Sequence, residues 1–297
     1  MNSLLEVLRS ADRARTAIGH FNISDLAALK AVSAAARELK VPVVVGLSEG
    51  ERAFMGVRQS AAAVRAVREE YGSPIFLNAD HTHSLASAEE AVRAGYDSVV
   101  FDRSELPMAD NIAETRDAVA KLKAINPAVV IEGEIGEIGI GSEIHEFAPQ
   151  RMTVTTPEDA LAFVSATGVD VLAPSVGNMH GLLREMVQGK EKKRLHVQLI
   201  SDIKTATGVP LTLHGGSGTK DEDVAAAIHA GITQIHINTE VRLAWRRGLE
   251  AALSRDRDQL APYKILPEAV KSIQDVVRER LRLFSWPHHA APSVQRA

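Results

Sequence analysis

Three histidines stand at corresponding places in the chain. Each closes a short apolar run and has small polar residues beside it: Asn78-Ala79-Asp80-His81, Gly177-Asn178-Met179-His180-Gly181 and Leu213-His214-Gly215-Gly216-Ser217-Gly218. One borderline divalent ion held by three imidazoles accounts for that recurrence economically. The chain has no cysteine, so any metal must be held by His, Asp or Glu. Asp80 adjoins His81, and the run Ile131-Glu132-Gly133-Glu134-Ile135-Gly136-Glu137 places Glu132 and Glu134 on one face of a strand. Interior acids near a strand end are costly to bury unless they meet a cation. His83 is the rival ligand to His81, and the Asp80-His81 pair could instead cap a helix beginning at Ser84.

These groups can meet only if the strands carrying them end at one rim. Eight runs read as strands: 16–23, 42–48, 74–81, 98–104, 128–136, 171–177, 210–216 and 234–240. Amphipathic stretches of helical period lie between them, such as Leu26-Leu29-Lys30-Val32-Ser33-Ala36, and Gly95, Gly168, Gly208 and Gly231 each stand just before a strand. Strict strand–helix alternation over this length predicts a (β/α)8 TIM barrel, whose chemistry gathers at the carboxyl ends of its strands. A doubly wound open sheet is the runner-up, weakened because no Gly-x-Gly-x-x-Gly follows the first strand. Residues 1–13 are expected to form a helix over the barrel floor, and 267–284 a further C-terminal helix with Val270, Ile273, Val276, Val277 and Leu281 on one side. The reading is one barrel domain over 1–284, with a loose Pro- and Ala-rich tail over 285–297.

Composition narrows the function class. No apolar run approaches the roughly 20 residues of a membrane span, and the N-terminus lacks a signal-peptide core, so a cytoplasmic protein is expected. A net charge of −4 spread without runs offers no electrostatic case for nucleic acid. Small anions are a different matter. Gly181 follows His180, and Gly215, Gly216, Ser217 and Gly218 follow His214, so backbone N–H groups and a hydroxyl can close on an oxyanion. The eighth run ends Asn238-Thr239-Glu240, and barrels often bind phosphate after strands seven and eight. Between the fifth and sixth strands lies a glycine-bearing loop, 138–153, long enough to be a mobile lid, and it carries Glu143.

Taken together, these motifs resemble the class II, metal-dependent fructose-bisphosphate and tagatose-bisphosphate aldolases. The likeness runs from Gly19-His20-Phe21-Asn22-Ile23 to Leu283-Phe284 and includes Asp102-Arg103-Ser104-Glu105-Leu106-Pro107 with Asn111-Ile112. It implies Zn2+ on His81, His180 and His214, with Glu134 as a carboxylate that ligates in one state. It implies Asp80 as proton carrier to the aldehyde oxygen. Gly181, Gly215, Ser217, Asn238 and Thr239 would hold the phosphate of dihydroxyacetone phosphate, often with a monovalent cation, Na+ or K+, nearby. Asn22 and Ser48, at the ends of the first two strands, join His236 in the expected substrate-binding set, and a homo-oligomer, dimer or tetramer, is expected.

The chain also departs from that pattern. The family's enolising glutamate falls here at Ser142, one residue before Glu143, to which the role is assigned. His236 stands where relatives carry a substrate-binding Asn, Arg103 replaces a Gly, and Pro262-Tyr263-Lys264 precedes the last helix in place of a different basic motif. The implied chemistry is reversible cleavage of a ketose (bis)phosphate. The metal polarises the C2 carbonyl and stabilises the enediolate, Asp80 takes the C4 hydroxyl proton, and a loop acid returns a proton to the carbon that becomes C1 of dihydroxyacetone phosphate. Two other classes use similar parts. A zinc hydrolase would favour a His-x-His on the first strand, where only His20 stands, and a non-catalytic sugar-phosphate sensor would tolerate loss of Asp80 or a ligand.

Overall fold

The computed structural model describes residues 2–136, 138–139, 141, 143–146, 153–190 and 192–285. In chain order these form α1 (Leu4–Ala14), β1 (Ile18–Asn22), α2 (Leu26–Leu39), β2 (Val43–Leu47), α3 (Glu49–Met55), α4 (Val57–Tyr71), β3 (Ile75–Thr82), α5 (Leu85–Ala94), β4 (Ser98–Phe101), α6 (Met108–Ile125) and β5 (Val130–Ile135). There follow β6 (Ile144–His145), α7 (Pro157–Thr167), β7 (Val171–Pro174), β8 (Leu182–Leu183), α8 (Arg184–Val187), α9 (Val197–Thr207), β9 (Leu211–Leu213), α10 (Asp221–Ala230), β10 (Ile232–Ile237), α11 (Thr239–Arg255) and α12 (Pro262–Phe284). Eight parallel strands close a barrel in the order β1-β10-β9-β7-β5-β4-β3-β2, which rules out the open sheet.

The two-residue period of each strand sorts its side chains into two cores. Outward residues such as Phe21, Val45, Leu77, Ile131, Leu213 and Ile235 pack with the helices in the main apolar cluster. Inward residues at the strand starts, Ile18, Val44, Phe76, Val130 and Val171, form a second cluster with Leu4, Leu8 and Ala11 of α1. The predicted floor helix is therefore present, held at its start by the reciprocal Ser3 and Glu6 capping bonds. Two residues further along the strands, the interior turns polar: His20, Asn78 and Glu132 are buried, as are Asp80, Glu134, Thr212, His214, Gln234 and His236. An apolar floor beneath a polar interior sets the chemistry at the carboxyl ends of the strands.

Several boundaries differ from the sequence expectation. β10 starts at Ile232 and ends at Ile237, so Asn238 caps α11 and Thr239 opens it. The last helix begins at Pro262 and runs through Pro267. A proline reads as a helix start because its missing N–H is harmless there, yet Pro267 sits within the second turn and gives up one backbone bond. The short parallel pair β6–β8, which periodicity does not announce, ties part of the 138–153 loop to the segment after His180: Leu182 N–H donates to Glu143 O (2.9 Å) and His180 N–H to Ile138 O (3.0 Å). Residues 140, 142 and 147–152 of the expected lid, and the tail beyond Ser285, lie outside the described residues.

Gly46 on β2 faces His20, and a Cβ there would clash with Cε1 and Nε2 of the imidazole. His20 has nowhere to retreat, because it stacks on His236 (3.5 Å between ring centres) and pairs with Asn78 (3.0 Å). Gly46→Ala is expected to destabilise the protein by about 1–3 kcal/mol, the usual cost of overpacking. Chemical denaturation measures it, and an unchanged midpoint would mean that the imidazole stack is free to shift.

Candidate active site

Successive residues on a strand point to opposite faces, yet Asp80 and His81 both reach the barrel mouth. The pairing of β3 with β4 shifts register between Ala79 and Thr82, and His81 takes a left-handed backbone conformation (φ 39°). Such strain in a non-glycine residue persists only when its surroundings hold it. Arg52 on α3 does so: its guanidinium donates to Leu47 O (2.6 Å), Asp80 O (3.1 Å) and Thr82 Oγ1 (3.1 Å) from a buried position.

His81, Glu134, His180 and His214 bring their ligand atoms within 4.8 Å of one another. Two of the imidazoles have their outer nitrogens committed, His81 Nδ1 to Asp102 (2.9 Å) and His214 Nε2 to Glu132 (2.7 Å). Ser104 holds Asp102 in turn, and Thr212 holds Glu132. The inner nitrogens, His81 Nε2 and His214 Nδ1, then face each other at 3.2 Å. With the outer positions protonated toward carboxylates, two lone pairs meet unless a proton or a metal lies between. His180 Nε2 and Glu134 Oε2, buried beside them, have no hydrogen-bond partner among the described residues. These four donors fit a divalent cation. His83 does not join them: its half-exposed ring pairs with Asp102 O (3.2 Å) instead.

The electrostatics agree. Burial pushes His81 down, but the Asp80 charge, the Asp102 hydrogen bond and Glu134 outweigh it and raise its pKa to about 10. His214 is raised likewise, burial being outweighed by its bond to Glu132. Burial, aided by Asp102, lifts Glu134 to about 7. Burial and the neighbouring His81 and His214 hold His180 well below the usual imidazole range. A site that holds protons this tightly, on the His81 imidazole and the Glu134 carboxylate, would favour a dication in their place.

Asp80 lies one step from that group. Burial would raise its pKa, but His81, His236 and His20 together keep it well below the carboxylate range. Asn22 donates to its Oδ2 (2.9 Å) and is shared with Glu51 (2.9 Å), which also receives Ser48 N–H (2.8 Å) and the Arg242 guanidinium (2.7 Å). Asn22 therefore lines the cleft, whereas Ser48 stands behind it as a partner of Glu51. His236 Nδ1 sits 3.4 Å from Asp80 Oδ1. Burial lowers His236 strongly and His20 to about 4, so both stacked rings are neutral at pH 7.

The opposite wall of the same cleft is the predicted anion cradle, formed by Gly181, Gly215, Ser217, Asn238 and Thr239. Gly215 sits at φ 60°, and the Met179 carbonyl passes where a side chain would stand, so both backbone and space require glycine there. Beneath the cradle Lys193 is buried, and burial draws its ammonium down to about 7. The structure does not bring in every predicted residue. The Glu143 carbonyl lies against Gly181, but its side chain is exposed and does not line the cleft. Arg103 is turned toward Glu114 (2.6 Å) and His83 O (2.9 Å), and Lys264 lies on the first turn of α12 near the Tyr263 ring.

The chain matches the family described as fructose-bisphosphate aldolase class-II over residues 2–287. It belongs to that family. It is 33% identical over 291 residues to the probable fructose-bisphosphate aldolase of Bacillus subtilis, covering 97% of this chain and 99% of the relative. It is equally 33% identical to the 6-phospho-5-dehydro-2-deoxy-D-gluconate aldolase of Shouchella clausii, over 97% of this chain and 96% of that one. Among solved structures, the YdjI aldolase of Escherichia coli K12 superposes with a TM-score of 0.78 at 26% identity, covering 96% of this chain and 97% of that one. This chain is thus a metal-dependent class II aldolase, a carbon–carbon lyase, and the hydrolase and sensor readings fall away.

Sequence reasoning about this aldolase missed Glu51, Arg52 and Lys193. Ser48-Glu49-Gly50-Glu51 does carry a local capping-box signal for Glu51, but the bonds of Glu51 to Asn22 and Arg242, of Arg52 to Asp80 and Thr82, and of Lys193 to three carbonyls join residues distant in sequence. The supporting roles of Asp102 and Glu132 have a signal only in retrospect: ligand imidazoles require an acceptor for the outer N–H. Protein prepared without chelator is expected to carry about one divalent ion per chain. His180→Ala or His214→Ala should release it and His83→Ala should not. Glu132→Gln should weaken retention by roughly 10–100-fold. Elemental analysis reads all four, and full occupancy in both ligand variants would overturn the ligand set.

Proposed function

We propose that the enzyme reversibly cleaves a ketose (bis)phosphate to dihydroxyacetone phosphate and an aldehyde, with Zn2+ on His81, His180, His214 and, in one state, Glu134. The observation that carries this reading is the sharing of one cleft: His81 and His180 of the four-ligand cluster line one wall with Asp80, and the Gly181, Gly215, Ser217, Asn238 and Thr239 cradle forms the other. Three imidazoles without thiolates favour zinc with an open coordination position. When bound, the ion supplies Lewis acidity for the ketose carbonyl and for the negative charge left by carbon–carbon cleavage.

The chain's own groups do the rest. The cradle N–H groups and the Ser217 hydroxyl bind the phosphate and fix the triose end. Asp80, kept anionic, takes the C4 hydroxyl proton, and Asn22 aims its carboxylate through the 2.9 Å bond. Glu143 gives a proton to ketose C3, the carbon freed by C3–C4 cleavage, which becomes C1 of dihydroxyacetone phosphate, and removes it in the reverse direction. Its backbone is tethered beside Gly181 through β6 and β8, and its side chain must swing in from solvent to act. His236 stands against Asp80, at 3.4 Å, which places it on the aldehyde side in this reading. Two relatives at 33% identity carry names for different substrates, so overall similarity favours neither. We assign the choice of ketose phosphate to His236.

A cytoplasmic homo-oligomer, dimer or tetramer, is also proposed. No helix among the described residues is long and apolar enough to cross a membrane, and Phe54, Leu260 and Tyr263 are each at least three-quarters exposed. The function is tested by assaying zinc-loaded protein on a panel of ketose phosphates with and without chelator, where chelator-resistant or absent cleavage would contradict it. Asp80→Ala is expected to keep its metal and fold while losing cleavage by roughly 100-fold or more. Near-normal turnover would remove Asp80 from the proton path. His236→Asn should change the ratio of kcat/KM between ketose phosphates more than it changes affinity for dihydroxyacetone phosphate. Unchanged ratios with lower thermal stability would make His236 a packing residue.

A further inference from the structure

Lys193 lies between α8 and α9 with its side chain buried directly beneath the cradle. Its Nζ donates to three backbone carbonyls: Met179 O (2.7 Å), Gly181 O (2.6 Å) and Gly215 O (3.0 Å). Three acceptors need three donors, which only the charged ammonium has. Lys193 forms no carboxylate ion pair among the described residues, because Glu240, the nearest acidic influence, is taken by Arg280 (2.8 Å). A buried charge answered only by carbonyl dipoles is left with an unmet demand for an anion. The anion's seat is adjacent, since Gly181 and Gly215 turn their carbonyls to Lys193 and line the cleft themselves.

The backbone of Lys193 is fixed as firmly as its head. Its N–H donates to Gly218 O (3.0 Å), and its carbonyl accepts from Lys220 N–H (3.4 Å). The ammonium therefore bridges the loop that carries His180 and the loop that carries His214. A ring of carbonyl oxygens is also how a protein holds Na+ or K+, the cation expected near the phosphate. Here those oxygens are already engaged.

We propose that Lys193 is a built-in monovalent cation: it locks the two cradle loops together, supplies positive charge beneath the bound phosphate, and makes anion binding independent of Na+ and K+. This rests on the cradle being the phosphate site. Lys193 touches neither substrate nor metal in this account and is a positioning residue, acting through Gly181 and Gly215.

The test measures binding of inorganic phosphate and dihydroxyacetone phosphate to metal-loaded protein by calorimetry, in tetramethylammonium buffer free of Na+, K+ and NH4+. The parent protein should bind, and adding K+ should leave its affinity unchanged. Lys193→Ala, which opens the carbonyl ring, should lose about tenfold or more in affinity and regain most of it with ammonium or K+. Lys193→Met fills the space without charge and should lose as much with no rescue. A parent protein that binds phosphate only when K+ is present would overturn the proposal, as would Lys193→Ala with parental affinity or with a loss that no small cation restores. If either variant fails to fold, the parent's response to K+ still decides. Should the parent bind neither ligand in any buffer, the cradle assignment itself fails, a result distinct from cation dependence.

Discussion

The upper interior of this barrel holds imidazoles whose inner nitrogens have no neutral way to face each other. Asp102 and Glu132 claim the outer nitrogens of His81 and His214, leaving the inner pair 3.2 Å apart with the unpartnered His180 Nε2 and Glu134 Oε2 close by. A positive charge must sit among them, as a proton in the free protein or a divalent ion in the working one. Much of the surrounding structure exists to maintain that arrangement. The β3 register shift turns His81 inward, Arg52 holds the shifted strand from behind, and the apolar floor under α1 keeps water from the lower barrel.

The two walls of the cleft are built differently. The metal wall gathers at strand ends, with His81 on β3, Glu134 on β5, His214 directly after β9 and His180 on the turn after β7, and side-chain bonds to Asp102 and Glu132 fix two of its imidazoles. The proposed anion wall stands on the turns after β7 and β9 and at the start of α11, where glycines let the chain come close and backbone N–H groups would meet a phosphate. Loops of this kind need a tie, and the Lys193 ammonium is placed to provide one. Asp80 belongs to the first wall and His236 lies 3.4 Å from it, which is why we assign His236 to the reacting carbons and not to the phosphate.

Much of this was legible in the sequence because strand alternation and strand-end motifs are local signals. Eight strands, the floor helix, the closing glycines and the pairing of His81, His180 and His214 all follow from runs of a few residues. Glu132 and Glu134 were readable as sharing a face, although which face needed the barrel. What escaped is tertiary. Glu51 matters because Asn22, Ser48 and Arg242 converge on it from three elements, and Lys193 because three carbonyls from two separate loops do so. In sequence, Glu51 is at most the acidic member of a Ser48-x-x-Glu51 capping box and Lys193 one of several consecutive basic residues. The β6–β8 pair escaped because two-residue strands have no period to detect.

The most direct measurement is X-ray absorption at the zinc edge of zinc-loaded protein, which counts and identifies the donors around the ion. The account predicts three imidazole nitrogens at about 2.0–2.1 Å, completed by oxygen. It also predicts that removing the Glu132 carboxylate leaves the donor count intact while disordering one imidazole, since that carboxylate orients His214 without touching the metal. A shell with fewer than three imidazoles, or one that is mainly carboxylate and water, would contradict the central claim that the facing histidines hold the ion.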